Sequence, residues 1–319
     1  MGDLARESHG VTLTRPHTLT TRLEASSVAV LAASAALAWY GWQSLAAAGP
    51  WHAIRTGQVR YAGPIVLGFV AIVFVLERLW PAQRRPLLAR GHVADLGYLV
   101  LYAVLVLPLV TLLGAGFAHV LAEHASWLVL PRISGVPSWA FVVIGLLAID
   151  ATDWFIHFVN HRVNPIWRFH AVHHSQEEVS VLTTFRAHPL VHLSYSLTVV
   201  PGFVLAANGA TPVTLLTSYA CLGALPHANL RWSYGLLGRA LISPSYHRAH
   251  HRASGRLDVN LGVVFPFWDQ LSRRAIFPTR GAEVVATGLS GRPIAVEQDR
   301  PVAGLPAVIM SQLAEPFVR

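Results

Sequence analysis

Four long apolar stretches, at roughly 26–48, 62–80, 95–122 and 137–159, constrain this chain more than any other feature. Each reaches or approaches the ~20 residues that a helix needs to cross a bilayer's hydrocarbon core. Backbone amides have no water to bond to in that core, so stretches of this kind cross it as helices. The expected fold is therefore all-α and integral to a membrane, with four transmembrane helices. Composition agrees. The chain is 53% hydrophobic, and only 13% of it is Asp, Glu, Lys or Arg, about half the ~25% usual for soluble domains.

Proline and glycine punctuate the spans. Gly49-Pro50 closes the first and Pro81 follows the second. The first apolar run is too long for a signal-peptide core and no clear cleavage site follows it, so it reads as a retained span. The basic loop from Arg84 to Arg90 belongs on the cytoplasmic side, where Lys and Arg collect. Four spans then put the N-terminus and everything after residue 160 on that side too. Arg162, Arg168, Arg248, Arg252, Arg256, Arg273 and Arg274 agree with this, while Arg55 and Arg60 run mildly against it. The formal charge of +8 comes from arginines flanking apolar runs. They are topology signals rather than a nucleic-acid surface.

A fifth apolar region, about 190–226, is interrupted by Pro201-Gly202 and by Asn208-Gly209-Ala210-Thr211-Pro212. Each arm is short for a full span, so a helical hairpin entering and leaving at the cytoplasmic face is expected. It places His188 and His227 at the membrane face where the fourth span ends. The chain divides into a flexible cytoplasmic N-terminus (1–24), N-terminal transmembrane helices (25–136), a catalytic domain (137–280) with a cytoplasmic helical cap, and a C-terminal tail (281–319). Leu305 to Leu313 within the tail has the pattern of a short amphipathic helix. There is no internal repeat.

The chemistry lies in histidine. Of 17 histidines, 11 fall between His157 and His251. The only cysteine, Cys221, permits neither an internal disulfide nor a thiolate metal site. The fourth span ends with His157 and His161, one helical turn apart, and Asp150 and Asp153 share their face. Those carboxylates are placed to accept the ring N–H of a ligating histidine, a bond that fixes tautomer and orientation. Two clusters follow with the spacing His-x-x-His-His: His170, His173, His174 and His247, His250, His251. On a helix each can offer two or three nitrogens to one site. Such triplets are rare accidents even in a chain this rich in histidine. His227 returns from the hairpin, and His188 and His192 enter it. Eight or more histidines exceed what one tetrahedral zinc needs, which implies two metals. Imidazole suits zinc, iron and copper alike. His9, His17, His52, His92, His119 and His124 read as isolated interface residues.

A metal transporter would gather its ligands near the bilayer midplane, whereas these gather at one face. A zinc-dependent lipid hydrolase is the other alternative, and it would consume no O₂.

In order and spacing, His157-x-x-x-His161, His170-x-x-His173-His174 and His247-x-x-His250-His251 resemble the fatty acid hydroxylase superfamily, which includes sterol desaturases and alkylglycerol monooxygenase. Arg186-x-His188-Pro189, His227-Ala228-Asn229, Asp258-Val259-Asn260-Leu261-Gly262 and Phe267-Trp268-Asp269 are similar to further elements of that family. The likeness covers about 137–290. His192 stands where many relatives carry an acid, and Arg273-Arg274-Ala275-Ile276-Phe277 replaces a phenylalanine–glycine–threonine segment, so the substrate is left open. The resemblance implies a non-haem di-iron centre, two Fe ions that Zn could replace, and O₂ as co-substrate. It implies hydroxylation or desaturation of a membrane lipid, sterol or terpenoid. The ligand set would be His157, His161, His170, His173, His174, His227, His247, His250 and His251, supported by Asp150, Asp153, His188 and Asn260. No dinucleotide-binding glycine fingerprint and no fused haem domain is visible. Electrons are thus expected from an external ferredoxin or cytochrome b5-type donor, with an acidic carrier drawn to the basic cytoplasmic face.

Overall fold

An apolar segment turns helical wherever nothing else can satisfy its amides, and the computed structural model follows that rule. It describes residues 63–87, 89–208, 212–278, 284–290, 294–295, 297 and 301–318. The N-terminus 1–24 and the span expected at 26–48 lie outside the described residues. Among those described there is no strand, only two isolated bridges, Pro81–Leu230 and Arg252–Thr287. The all-α expectation holds.

Helix α1, Gly63–Leu79, coincides with the second expected span. It buries Val70, Val73 and Glu77 and exposes Ile65, Leu67, Ile72 and Val75. Helix α2, Arg90–His124, has 35 residues, or about 52 Å at 1.5 Å per residue, well beyond a ~30 Å hydrocarbon core. It starts earlier than the expected 95–122 because its first turns are not lipid-facing. They bury Gly91, His92, Ala94, Asp95 and Tyr98. A wide turn at Tyr102–Val106 precedes Pro108, whose ring would clash with a carbonyl four residues back in a regular helix.

Helix α3, Ser138–Arg162, is the fourth expected span, and α4, Asn164–His174, follows it directly. Helix α5 runs Pro189–Asn208, and α6 is Pro212–Ala224, closing in a tight turn at Leu225–His227. These are the two arms of the expected hairpin, but the first is longer than the sequence suggested. Its tight turn at Tyr195–Thr198 carries the helix into Pro201 without a break. Among the described residues, three helices are long and apolar enough to cross a membrane: α2, α3 and α5. The hairpin packs on α3 through Phe141, Ile149, Leu205 and Leu215. Gly145 permits this approach, since a Cβ there would lie 2.8 Å from Leu215 Cδ1.

Short helices α7, Pro244–His250, and α8, Phe267–Leu271, lie beyond the hairpin. Helix α9, Leu305–Ala314, packs on α2 and α4. Its Gln312 Oε1 accepts from Tyr98 (2.8 Å), so the tail is built into the body. A belt of exposed apolar residues, including Val104, Val143, Ile144 and Phe155, surrounds the long helices. Trp139, at the end of α3 opposite His161, and Trp127, in the turn just past α2, stand out into the surroundings, as interfacial tryptophans do.

Candidate metal centre

Four structural pieces bring nine histidines together. The last turns of α3 carry His157 and His161 at i and i+4. Helix α4 begins with Pro165 in its first turn, where proline's missing N–H costs nothing, and carries His170, His173 and His174. The return of the hairpin delivers His227. Helix α7 is capped by Ser243, which accepts from Tyr246 N (3.2 Å), and presents His247 and His250, with His251 just past its end.

The nine fall into two groups. His157, His161, His170, His174 and His250 form one, and His173, His227, His247 and His251 the other; within each, the ligating atoms lie within 4.8 Å of one another. Each His-x-x-His-His cluster is split. Its i, i+4 pair (His170 with His174, His247 with His251) serves one group and its remaining member the other. Sequence spacing placed these rings together but did not sort them.

Hydrogen bonds set the ring orientations. His157 Nδ1 bonds to the Leu261 carbonyl (2.7 Å), His173 Nδ1 to that of Arg186 (2.9 Å), His227 Nδ1 to that of Gly223 (3.3 Å) and His250 Nδ1 to that of Val259 (2.8 Å). A carbonyl only accepts, so each Nδ1 carries the proton and each Nε2 of the neutral ring is a lone pair. His173 and His227 then aim two lone pairs at each other at 3.2 Å with no proton between them. His157–His170 (3.0 Å), His227–His247 (3.1 Å) and His247–His251 (3.2 Å) are similarly close through Nε2. Two nitrogens on one ion, bonded at about 2.0–2.2 Å and at right angles, stand roughly 3 Å apart. Nitrogens of His161, His170, His174, His247, His250 and His251 are buried without hydrogen-bond partners. Burial lowers the His173 ring pKa to about 4 and puts His170, His174, His227, His247, His250 and His251 well below the usual imidazole value. Neutral, dry, converging lone pairs are the donor set that two imidazole-binding metal ions fit.

The supporting residues expected from sequence behave differently from one another. Asn260 has a left-handed backbone (φ 56°), which Asn tolerates better than most residues. Its Nδ2 donates to the Tyr246 and Ile276 carbonyls (both 2.9 Å) and its Oδ1 accepts from Ile276 N (2.6 Å). It thereby fixes the loop whose neighbouring carbonyls, Val259 and Leu261, orient His250 and His157. Asp150 and Asp153 do not receive a histidine N–H; backbone carbonyls take that place. Asp150 accepts instead from Val264 N (2.8 Å), Phe265 N (3.2 Å), Trp268 Nε1 (3.1 Å) and Tyr219 (3.1 Å). Asp153 accepts from Tyr219 (2.6 Å). Asp150 thus anchors the 264–268 loop to α3, while Asp153 ties α3 to α6 through Tyr219. His188 stands apart from the nine. Its Nδ1 caps α5 by accepting from Leu190 N (3.2 Å), and its Nε2 donates to the Leu313 carbonyl (3.1 Å).

Several buried groups were not weighed as site residues from sequence. Glu77 Oε1 accepts from Val181 N (2.7 Å) and Asn229 N (2.8 Å), tying α1 to the backbone beside His227. A lone acid in an apolar span is expensive, and that signal was present. The Arg186 guanidinium is fully buried between Asp95 and Glu297 and also bonds the Val172 carbonyl (3.1 Å). Its paired carboxylates hold its pKa above the usual arginine value despite burial. Nothing local marked Glu297, which comes from the tail. Asp269, also fully buried, lies in a segment noted for its resemblance but not weighed as a site residue.

Residues 142–273 match the profile of the fatty acid hydroxylase family. The chain is 26% identical over 306 residues to the ornithine lipid hydroxylase OlsE of Rhizobium tropici, a match covering 92% of this chain and 87% of that one. It is 27% identical over 150 residues to the alkylglycerol monooxygenase of Danio rerio, covering 47% of this chain and 32% of the relative. No solved structure matches. The resemblance drawn from the histidine motifs is borne out: residues 142–273 match the fatty acid hydroxylase family model, and both relatives are members of that superfamily.

Proposed function

We propose that this protein is an integral membrane, O₂-dependent oxidoreductase that hydroxylates an unactivated C–H position of a lipid at a histidine-held di-iron centre. The observation that carries this is the pairing of two adjacent imidazole groups whose tautomers leave lone pairs converging at 3.0–3.2 Å. Two metals rather than one follow from nine ligands in groups of five and four. Iron and oxygen chemistry are supported by the family match and by two relatives named as a hydroxylase and a monooxygenase. The same names favour hydroxylation over desaturation and a lipid over a sterol or terpenoid.

His157, His161, His170, His174 and His250 would hold one iron and His173, His227, His247 and His251 the other. With O₂ and two electrons from an external carrier, such a pair supplies the oxidising power to place one oxygen atom in a C–H bond and release the other as water. The residues of the chain do the rest. The Leu261, Arg186, Gly223 and Val259 carbonyls hold the Nδ1 protons and keep the rings in one tautomer. Burial keeps the rings neutral and the site dry. Asn260, Asp150 and Glu77 hold the loops that carry those carbonyls and ligands. The exposed apolar belt and the position of His157 and His161 at the end of a span suit a substrate that arrives laterally from the bilayer. The basic loop at 84–90 supports a four-span topology with the centre at the cytoplasmic face. An acidic ferredoxin or cytochrome b5-type donor suits that face.

The test is turnover in nanodiscs with isotopically heavy O₂, a ferredoxin–reductase couple and extracted membrane lipids. A lipid alcohol carrying the heavy oxygen is expected. Lipid products formed without O₂ consumption and without the heavy oxygen would indicate a hydrolase instead.

A further inference from the structure

One ligand-orienting carbonyl belongs to a peptide that has a carboxylate on its other side. His157 Nδ1 donates to the Leu261 carbonyl at 2.7 Å. The N–H of that same peptide, Gly262 N, donates to Asp269 Oδ2 at 2.9 Å. Asp269 is fully buried and accepts three further hydrogen bonds: Leu261 N (2.9 Å) and Trp154 Nε1 (2.9 Å) on Oδ1, and Tyr246 Oη (3.0 Å) on Oδ2. Four donors fill the roughly four acceptor positions of an ionised carboxylate, and they favour the anion against the burial that pushes its pKa up.

We propose that Asp269 is a positioning residue for the first metal group, acting on His157 through the Leu261–Gly262 peptide. This rests on the two-metal reading above. An amide whose N–H is bound to an anion is polarised, and its carbonyl oxygen becomes a stronger acceptor, because hydrogen bonds in series reinforce one another. A stronger pull on the Nδ1 proton fixes the ring and raises the basicity of Nε2 as a ligand. Gly262 is the residue that permits the approach. A Cβ there would lie 2.7 Å from both Ile242 Cδ1 and the Phe265 carbonyl, and 3.2 Å from Asp269 Oδ2. His250, in the same group, has no such relay. The peptide behind its Val259 carbonyl donates its N–H, that of Asn260, to the neutral Arg274 carbonyl (3.1 Å). Asp269 therefore acts on one ring of one group, although it touches helices that serve both.

The experiment titrates the metal-free full-length protein with Co²⁺ alone and reads two stepwise affinities. Asp269→Asn is expected to weaken one of them by about 10- to 100-fold and to leave the other unchanged within about twofold. The weakened site should persist in a His251→Ala background, where the second group is broken, and disappear in a His250→Ala background. Tyr246→Phe and Trp154→Phe remove the other two side-chain anchors and should keep both affinities. Parallel weakening of both sites, or equal effects of Asp269→Asn and Tyr246→Phe, would mean that Asp269 only supports the fold and would overturn the proposal. If Asp269→Asn does not fold, Asp269→Glu decides. It keeps the charge but displaces the oxygens, so selective weakening at the first group supports positioning and unchanged binding at both contradicts it. Two Co²⁺ per wild-type chain with no lipid oxidation would refute the proposed reaction while leaving this test intact.

Discussion

Replacing Arg186 by methionine should be among the most damaging single changes available to this protein, and its cost can be worked out from contacts. The guanidinium is fully buried, as are Asp95 and Glu297. Removing it strands two carboxylates in the interior and breaks the bonds to the Val172 carbonyl and Ser175 Oγ. Breaking a buried ion pair from one side costs about 3–5 kcal/mol. At roughly 2 °C per kcal/mol for a chain of this size, the melting temperature should fall by about 6–10 °C. The argument also predicts a rescue. Arg186→Met combined with Asp95→Asn and Glu297→Gln removes the stranded charges as well, so most of the loss should be recovered, since neutral replacements of buried ion pairs are often tolerated. Tryptophan-fluorescence melting in detergent, with ten tryptophans as reporters, measures both. A drop below about 2 °C for the single variant, or a triple variant no better than the single, would refute the reasoning.

Asn260→Ala loses three buried hydrogen bonds and adds strain at φ 56°. It should cost about 2–4 kcal/mol, with Asn260→Gly milder by the strain alone; melting curves of both variants check this. Glu77→Gln keeps an oxygen for Val181 N and Asn229 N and should stay near wild type, whereas Glu77→Ala should cost about 2–3 kcal/mol by the same assay. Metal-free protein should be acid-labile in a defined window. The ligand imidazoles are depressed on folding, His173 to about 4, against about 6.5 when unfolded. Stability should hold above pH ~6.5 and fall as pH drops from there towards about 4. Metal loading should shift that loss to lower pH, which denaturant titrations of stripped and loaded protein will show.

The gathering of nine histidines was legible because their spacing is helical. His157 with His161, and each His-x-x-His-His cluster, fall on one helix face whatever the tertiary structure does. The sorting of those rings was not legible. Neighbours such as His173 and His174, or His250 and His251, serve different groups because consecutive side chains on a helix diverge by about 100°, and sequence does not show which ring meets which partner helix. The helices at 62–80 and 137–159 were readable from their apolar runs. The extension of α2 back to Arg90 was not, because its first turns are buried by partners distant in sequence. Asp150 and Asp153 stood out as acids in an apolar span, but Asp150 binds a loop more than a hundred residues away and Asp153 binds Tyr219 on α6, partners that local sequence does not show. Glu297 carried no local signal, since only tertiary packing brings it to Arg186.

The central claim is that nine histidines hold two adjacent metal ions, and anomalous diffraction from iron-loaded crystals at the iron edge tests it most directly. Two peaks are predicted per chain, one ringed by His157, His161, His170, His174 and His250 and the other by His173, His227, His247 and His251. A single peak, or one lying away from these rings, would contradict the account.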